Sequence, residues 1–282
     1  MEQVYPLPLS DKAVSEFHRN GFILLPEIFS VNDMQAARET FLKAFSERLY
    51  ESAPYSNETI INDIYSWFPE LISVLLTPAF VNAIRSILGD DFVWMPECSI
   101  HRNRYIHWHK DTSYQESHGE HSHIGYDSPL IQAAIYFQEN GGQGGGLTVL
   151  PGTHTDPDKY SKMYRTSLHW RAWYWLLKRL KLSSFDFADR NPGKVDIPTD
   201  IGDLLLFDLR IDHCSTPTAK TPQPTKDKLA IFNTFARKDE ASRQYFEFMK
   251  NRTEPYYRYY REYPLPQAVY DHAASLGVTI WY

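Results

Sequence analysis

The chain has 282 residues, 43% of them hydrophobic and 23% charged, the make-up of an ordinary soluble globular protein with material for a sizeable core. Its formal net charge of −6 disfavours nucleic acid as a partner, because phosphate binding draws on clustered Lys and Arg. Two cysteines, Cys98 and Cys214, build no disulfide framework; no apolar run reaches the ~18 residues of a membrane span, and the opening MEQVYPLPLSDKAV lacks a secretory pattern, so a cytoplasmic protein is expected.

In chain order, VSEFHRNGFILLP reads as a short helix ending near Asn20-Gly21 and then an apolar strand. Ser30 with Asp33 forms a capping-box pattern before VNDMQAARETFLKAFSERL, where Val31, Met34, Ala37, Phe41 and Phe45 recur at a roughly helical period. Thr77 caps a further helix, PAFVNAIRSIL, with Pro78 at its first position and Gly89 at its end. The texture then changes. FVWMPECSIHRNR, HWHKD, LIQAAIYFQ, GLTVLPGTH, KVDIP, DLLLFDLR and KLAIFNTFAR are short runs rich in β-branched or aromatic residues, separated by turn residues. The expectation is one domain over residues 1–282: an N-terminal helical layer on an antiparallel β-core of about 90–240.

Residues 156–193 interrupt that core with a long, partly helical, aromatic insertion. A connection of that length is functional or disordered, and its aromatic content argues against disorder. Trp170, Trp173, Tyr174 and Trp175 make it a candidate cover over an apolar substrate pocket; packing alone is the blander reading. STPTAKTPQPTKDK is a turn or flexible loop between two strands.

The run His107-Trp108-His109-Lys110-Asp111 carries the chemistry. Along a strand, residues two apart share a face, so His109 and Asp111 would point the same way, as would His107. An imidazole and a carboxylate at that offset can share one small metal ion. His213 is the best third ligand, because it follows the strongly apolar strand of GDLLLFDLRIDHCS, where an inward polar residue needs a reason. Two histidines and one carboxylate leave half an octahedron open, the facial triad of non-haem Fe(II) oxygenases.

With HKD (109–111), GGGLTVLPGTH (144–154) and GDLLLFDLRIDHCST (202–216), the chain resembles the phytanoyl-CoA dioxygenase family of Fe(II)/2-oxoglutarate oxygenases from about residue 15 to about 237. The resemblance implies a double-stranded β-helix (jelly-roll) core within an α+β fold. It implies Fe(II) held by His109, Asp111 and His213, with 2-oxoglutarate as cosubstrate, and Ser215 as a hydroxyl near it. The family's arginine for the far carboxylate of 2-oxoglutarate is absent: position 224 is proline, and aligning the next strand puts Lys228 in its place, with Lys226 and Arg237 as rivals. Because Asp111 is present where related halogenases have a small residue, hydroxylation of a small-molecule C–H with O2 is implied. Desaturation, cyclisation or epimerisation is the alternative outcome.

Rival ligands carry blander readings. His107 lacks a carboxylate two residues on and fits a pocket wall; His154, in PGTH, fits a structural turn. His118, His121 and His123, with Glu120, fit a solvated loop. Cys214 would face away from His213, Asp208 and Asp212 flank it with Asp212 fitting a surface or supporting role, and Arg102, Arg104 and Lys110 could meet an acidic substrate group. The alternative from another class is a jelly-roll protein that binds metal or small molecules without turnover. Substrate identity and oligomeric state are left open by the sequence.

Overall fold

The computed structural model describes residues 8–119, 129–141, 145–161, 167–216, 227–252, 257–258 and 262–282. Its helical layer forms where the sequence places it. Helix α1 (Asp11–Asn20) is capped by the Ser10 hydroxyl and ends on Gly21, at φ 80°. Helix α2 (Val31–Ser46) starts where the Ser30 hydroxyl accepts the Asp33 N–H, and it buries Met34, Ala37, Phe41 and Phe45. Val31 is the exception: it sits in the first turn, beside the Gly202 bend, and stays 45% exposed. After two short helices, α3 (Ile64–Trp67) and α4 (Leu71–Leu75), comes α5 (Pro78–Leu88), with the Thr77 hydroxyl accepting the Phe80 N–H.

The main sheet has eight strands. Along it run β1 (Phe22–Leu25), β8 (Leu204–Asp208), β5 (Ile131–Tyr136), β10 (Leu229–Arg237), β3 (Phe92–Pro96) and β11 (Thr279–Ile280), while β4 (Ser99–Arg102) pairs with β10 and with β2 (Ile60–Asn62). Pairing is antiparallel except for β11 on β3. A second sheet orders β7 (Val195–Ile197), β6 (Leu147–Val149) and β9 (His213–Ser215).

Strand alternation explains why β5 and β8 are apolar at nearly every position. Ile131, Ala133, Ile135, Leu204 and Leu206 pack under the helices, in one core with Phe41, Phe80 and Ile84. Ala134, Tyr136, Leu205 and Phe207 point the other way and pack with Leu147, Val149 and Ile197 of the second sheet. A strand covered on both faces has no solvent side to leave polar. The result is a mixed α/β fold whose sheets are arranged like a double-stranded β-helix.

Three expectations change. The sheet is not confined to residues 90–240, because β1, β2 and β11 join it from outside. The run HWHKD forms no regular strand: His109 makes an isolated antiparallel bridge to His213, and Asp111 lies in a turn. The insertion contributes α7 (Leu168–Arg179) and α8 (Ser184–Asp189), but it packs behind the bridge segment, where the Trp108 indole donates to Asp189 at 2.7 Å. Helices α6 (Ser113–Ser117), α9 (Glu240–Lys250) and α10 (Gln267–Ser275), with two 3-10 turns at Leu49–Glu51 and Thr153–Thr155, lie elsewhere among the described residues.

Candidate metal centre

The bridge brings the two histidines together. Each backbone N–H of His109 and His213 donates to the other's carbonyl at 2.9 Å, which sets the imidazoles side by side with ring centroids 4.2 Å apart. Nδ1 of His109 donates to the His107 carbonyl at 2.7 Å, and Nδ1 of His213 to the Ile211 carbonyl at 3.0 Å. A carbonyl only accepts, so in the neutral rings the proton sits on Nδ1 and each Nε2 offers its lone pair. Asp111 is tied by its N–H to the Leu209 carbonyl at 2.9 Å. Its Oδ1 lies 3.3 Å from His109 Nε2 and 3.7 Å from His213 Nε2. One ligand atom from each of the three residues lies within 4.8 Å of the others, which suits one ion.

The electrostatics fit a cation. Burial pulls the His213 imidazole down to about 4, helped by the neighbouring His109, so it is neutral at physiological pH. Burial pushes the Asp111 carboxyl up, but the two imidazoles outweigh it and hold the group below its usual range. Burial likewise opposes the charge on His109, while the hydrogen bond and charge of Asp111 leave that imidazole raised. A cation at the shared point would take over the attraction that Asp111 now offers a proton.

All three residues line a cavity of about 440 Å³ with Tyr136, Phe207 and Phe232. Lys228 and Ser215 line it too, with Lys228 Nζ 3.4 Å from the Ser215 hydroxyl and 3.0 Å from the Arg104 carbonyl. Lys228 is 7% exposed, and burial with the nearby Arg104 guanidinium lowers its ammonium to about 8. Arg104 also lines the cavity.

Other sequence candidates go elsewhere. Lys110 borders the cavity but is 1% exposed, and its Nζ donates to the carbonyls of Thr153 and Arg210 at 2.5 Å each, so its ammonium anchors the turn. Arg102 is held by both nitrogens on Asp227 at 3.0 and 2.7 Å. Arg237 donates to the Leu88 carbonyl at the far end of β10, and Lys226 lies outside the described residues. The His107 ring is exposed and neighbours Phe185 at 6.0 Å; only its carbonyl serves the centre. His154 donates from Nε2 to the His18 carbonyl at 3.1 Å, a structural turn. His118 packs on Tyr114 at the surface, while Glu120, His121 and His123 lie outside the described residues. Asp208 is buried and holds Arg210, and Asp212 is fully buried rather than at the surface. None of the insertion's described residues lines this cavity, so none of them covers it.

Sequence reading missed Gln132 and Tyr136, which line the cavity from β5. The signal was in LIQAAIYFQ: two polar-bearing residues four apart in an otherwise apolar strand share one face.

The sequence matches the phytanoyl-CoA dioxygenase (PhyH) family over residues 17–223. The chain belongs to that family. It is an Fe(II)- and 2-oxoglutarate-dependent oxygenase of the phytanoyl-CoA dioxygenase type, with His109, Asp111 and His213 as its facial triad. Among curated proteins it is similar to the ectoine dioxygenase of Sphingopyxis alaskensis, at 24% identity over 256 residues, covering 83% of this chain and 78% of the relative. Solved structures with a similar fold include EctD from S. alaskensis with bound Fe, at TM-score 0.57 and 19% identity, covering 84% of this chain and 79% of that one. Another is HygX from Streptomyces hygroscopicus with iron bound, at TM-score 0.58 and 16% identity, covering 82% and 88%.

Proposed function

We propose that this family member hydroxylates an unactivated C–H bond of a small-molecule substrate, with Fe(II) held by His109, Asp111 and His213 and 2-oxoglutarate as cosubstrate. The observation that carries the reading is the convergence of two Nε2 atoms and one carboxylate oxygen on the wall of a cavity that also holds a buried lysine. Iron and 2-oxoglutarate, once bound, supply the oxidising chemistry: one oxygen atom of O2 goes to the substrate, and 2-oxoglutarate leaves as succinate and CO2. The chain's residues bind and orient. The Lys228 ammonium and the Ser215 hydroxyl, 3.4 Å apart, hold the far carboxylate of 2-oxoglutarate, and Arg104 adds positive charge. Lysine is a point charge where arginine is a planar fork, so this grip fixes distance more than orientation. Tyr136, Phe207 and Phe232 keep water from the reacting carbon.

Two relatives support the cosubstrate. A HygX structure holds nickel and 2-oxoglutarate, and an EctD structure holds 2-oxoglutarate and 5-hydroxyectoine. The reading includes a jelly-roll core and one domain over residues 1–282; strands from both ends of the chain in the main sheet support it. No helix of the described residues is long and apolar enough to cross a membrane, and we place the activity in the cytoplasm.

Anaerobic addition of Fe(II) and then 2-oxoglutarate is expected to give a visible charge-transfer band, with succinate forming once O2 is admitted. Asp111→Ala and His213→Ala are each expected to abolish stoichiometric iron binding. Unchanged iron stoichiometry in both variants would sink the triad.

A further inference from the structure

Behind the His213 strand lies a second cavity, of about 500 Å³, between Leu150 and the helices of the insertion. It shares no described lining residue with the metal cavity. Its walls are mainly aromatic, with Tyr160, Trp170, Trp173, Tyr174, Phe185 and Phe187, and the exposed Lys159 is also part of the lining. Tyr160 and Phe185 stack at 5.2 Å with planes 8° apart, and Tyr174 meets Phe185 edge-on at 6.2 Å. Asp212 also lines the cavity. It is fully buried, and neither of its carboxylate oxygens has a hydrogen-bond partner. The buried Lys110 ammonium forms an ion pair with Asp212 at 3.8 Å, beyond hydrogen-bond reach, while two of its three hydrogens go to backbone carbonyls. Asp158 keeps one buried carboxylate oxygen unpartnered as well.

A buried carboxylate without donors is costly unless a positive or hydrogen-bonding group reaches it. Aromatic faces attract that same charge and accept alkyl groups around it. The insertion's rings already serve cations at their outer edge, where the Arg190 guanidinium sits 5.4 Å over Phe187. The size lies within the range of small-molecule sites. The unbonded Asp212 oxygens and the aromatic walls together suit positive charge carried on an apolar body, in competition with Lys110 and the exposed Lys159.

We propose that the insertion cavity binds an organic ammonium ligand, its charge on Asp212 and its alkyl groups on the aromatic walls. The site is distinct from the metal centre, and its occupancy does not depend on the oxygenase reading.

Choline and its neutral isostere 3,3-dimethylbutan-1-ol are suitable probes, titrated into the full-length chain by calorimetry and followed by tryptophan fluorescence. Choline is expected to bind saturably, and the isostere about ten-fold more weakly or less. Asp212→Asn is expected to weaken choline by about ten-fold or more. Because that change also strips Lys110 of its neighbour and could impair folding, Trp170→Leu on the wall gives a second reading, with an expected several-fold loss. Equal binding of the two probes would reduce the site to an apolar cavity and overturn the proposal. So would choline affinity unchanged in both variants, or no saturation below about 10 mM.

Discussion

Lys228 stands at the margin between a buried lysine and a cosubstrate anchor. Its ammonium is lowered to about 8 because burial penalises the charge and Arg104 repels it, with the rings of Tyr105 and Tyr136 and the Ser215 hydroxyl as its softer neighbours. In the free enzyme the charge proposed to attract 2-oxoglutarate is therefore present below about pH 8 and lost above it. The KM for 2-oxoglutarate is expected to rise as pH passes upward through about 8, while kcat stays flatter, because bound carboxylate stabilises the ammonium. Stability runs the opposite way. Between about 8 and the ordinary lysine value the unfolded chain binds the proton that the folded chain has released, so this group makes folding more favourable as pH rises. Weaker cosubstrate binding over that interval is thus not unfolding. Lys228→Met removes a charged hydrogen bond of roughly 1.5–3 kcal/mol, so the KM is expected to rise about 10- to 100-fold at pH 7. Lys228→Arg keeps the charge and should flatten the pH dependence of KM; an unchanged profile in that variant would remove Lys228 from the cosubstrate site.

At the level of elements, the ends of helices and the pairing of strands decide where the site residues stand. The Ser30 and Thr77 caps were legible because a cap acts on an N–H three residues away, a distance the sequence shows directly. The convergence of His109 and Asp111 had a different origin from the one their spacing suggested. Strand alternation would have aimed them alike, but the structure aims them with a bridge to His213 and a turn tied to Leu209, both about a hundred residues away. The insertion was legible as structured and aromatic; its side of the sheet was not, since that depends on the Trp108–Asp189 hydrogen bond between segments distant in sequence. The PGTH turn is now an element joint. His154 holds the last turn of α1 through the His18 carbonyl, Gly152 donates to the Asn20 carbonyl at 2.8 Å, and the chain leaves through Gly21. A Cβ on Gly21 would lie 2.6 Å from His154 Nδ1, whereas one on Gly89, at a similar φ of 84°, meets nothing within 4 Å. Gly21→Ala is expected to cost about 2–3 kcal/mol, from left-handed strain plus the clash. Gly89 has ψ −172°, a region that essentially only glycine occupies, so Gly89→Ala is expected to cost about 1–3 kcal/mol from backbone strain alone. Urea denaturation checks both costs, and iron stoichiometry should be unchanged in both variants.

Two strands far apart in sequence form the edges of the main sheet. Strand β1 pairs with β8 at one edge of the main sheet, and β11 pairs with β3 at the other. The short runs FILL and TI carried no pairing information, because an edge strand of two to four residues is specified by the partner it covers rather than by its own period. Trp281 shows what the C-terminal edge contributes: its N–H donates to the Trp94 carbonyl at 2.9 Å, Arg243 lies over its ring at 3.8 Å, and it is 7% exposed. Trp175, on the outer face of the insertion, is 60% exposed. Trp281→Ala is therefore expected to cost about 3–5 kcal/mol, and Trp175→Ala to stay within about 0.5 kcal/mol of the parent. The same pair of edges tests the proposal of one domain. Leu25, on β1, and Trp281 lie at opposite edges but in a continuous sheet, so weakening either should lower one shared unfolding transition. In Leu25→Ala and in Trp281→Ala, tryptophan fluorescence and far-ultraviolet circular dichroism should report coincident midpoints, because both edges pair onto one continuous sheet that unfolds as a unit. Two separated midpoints in either variant would divide the chain into independently folding parts and defeat the single-domain reading.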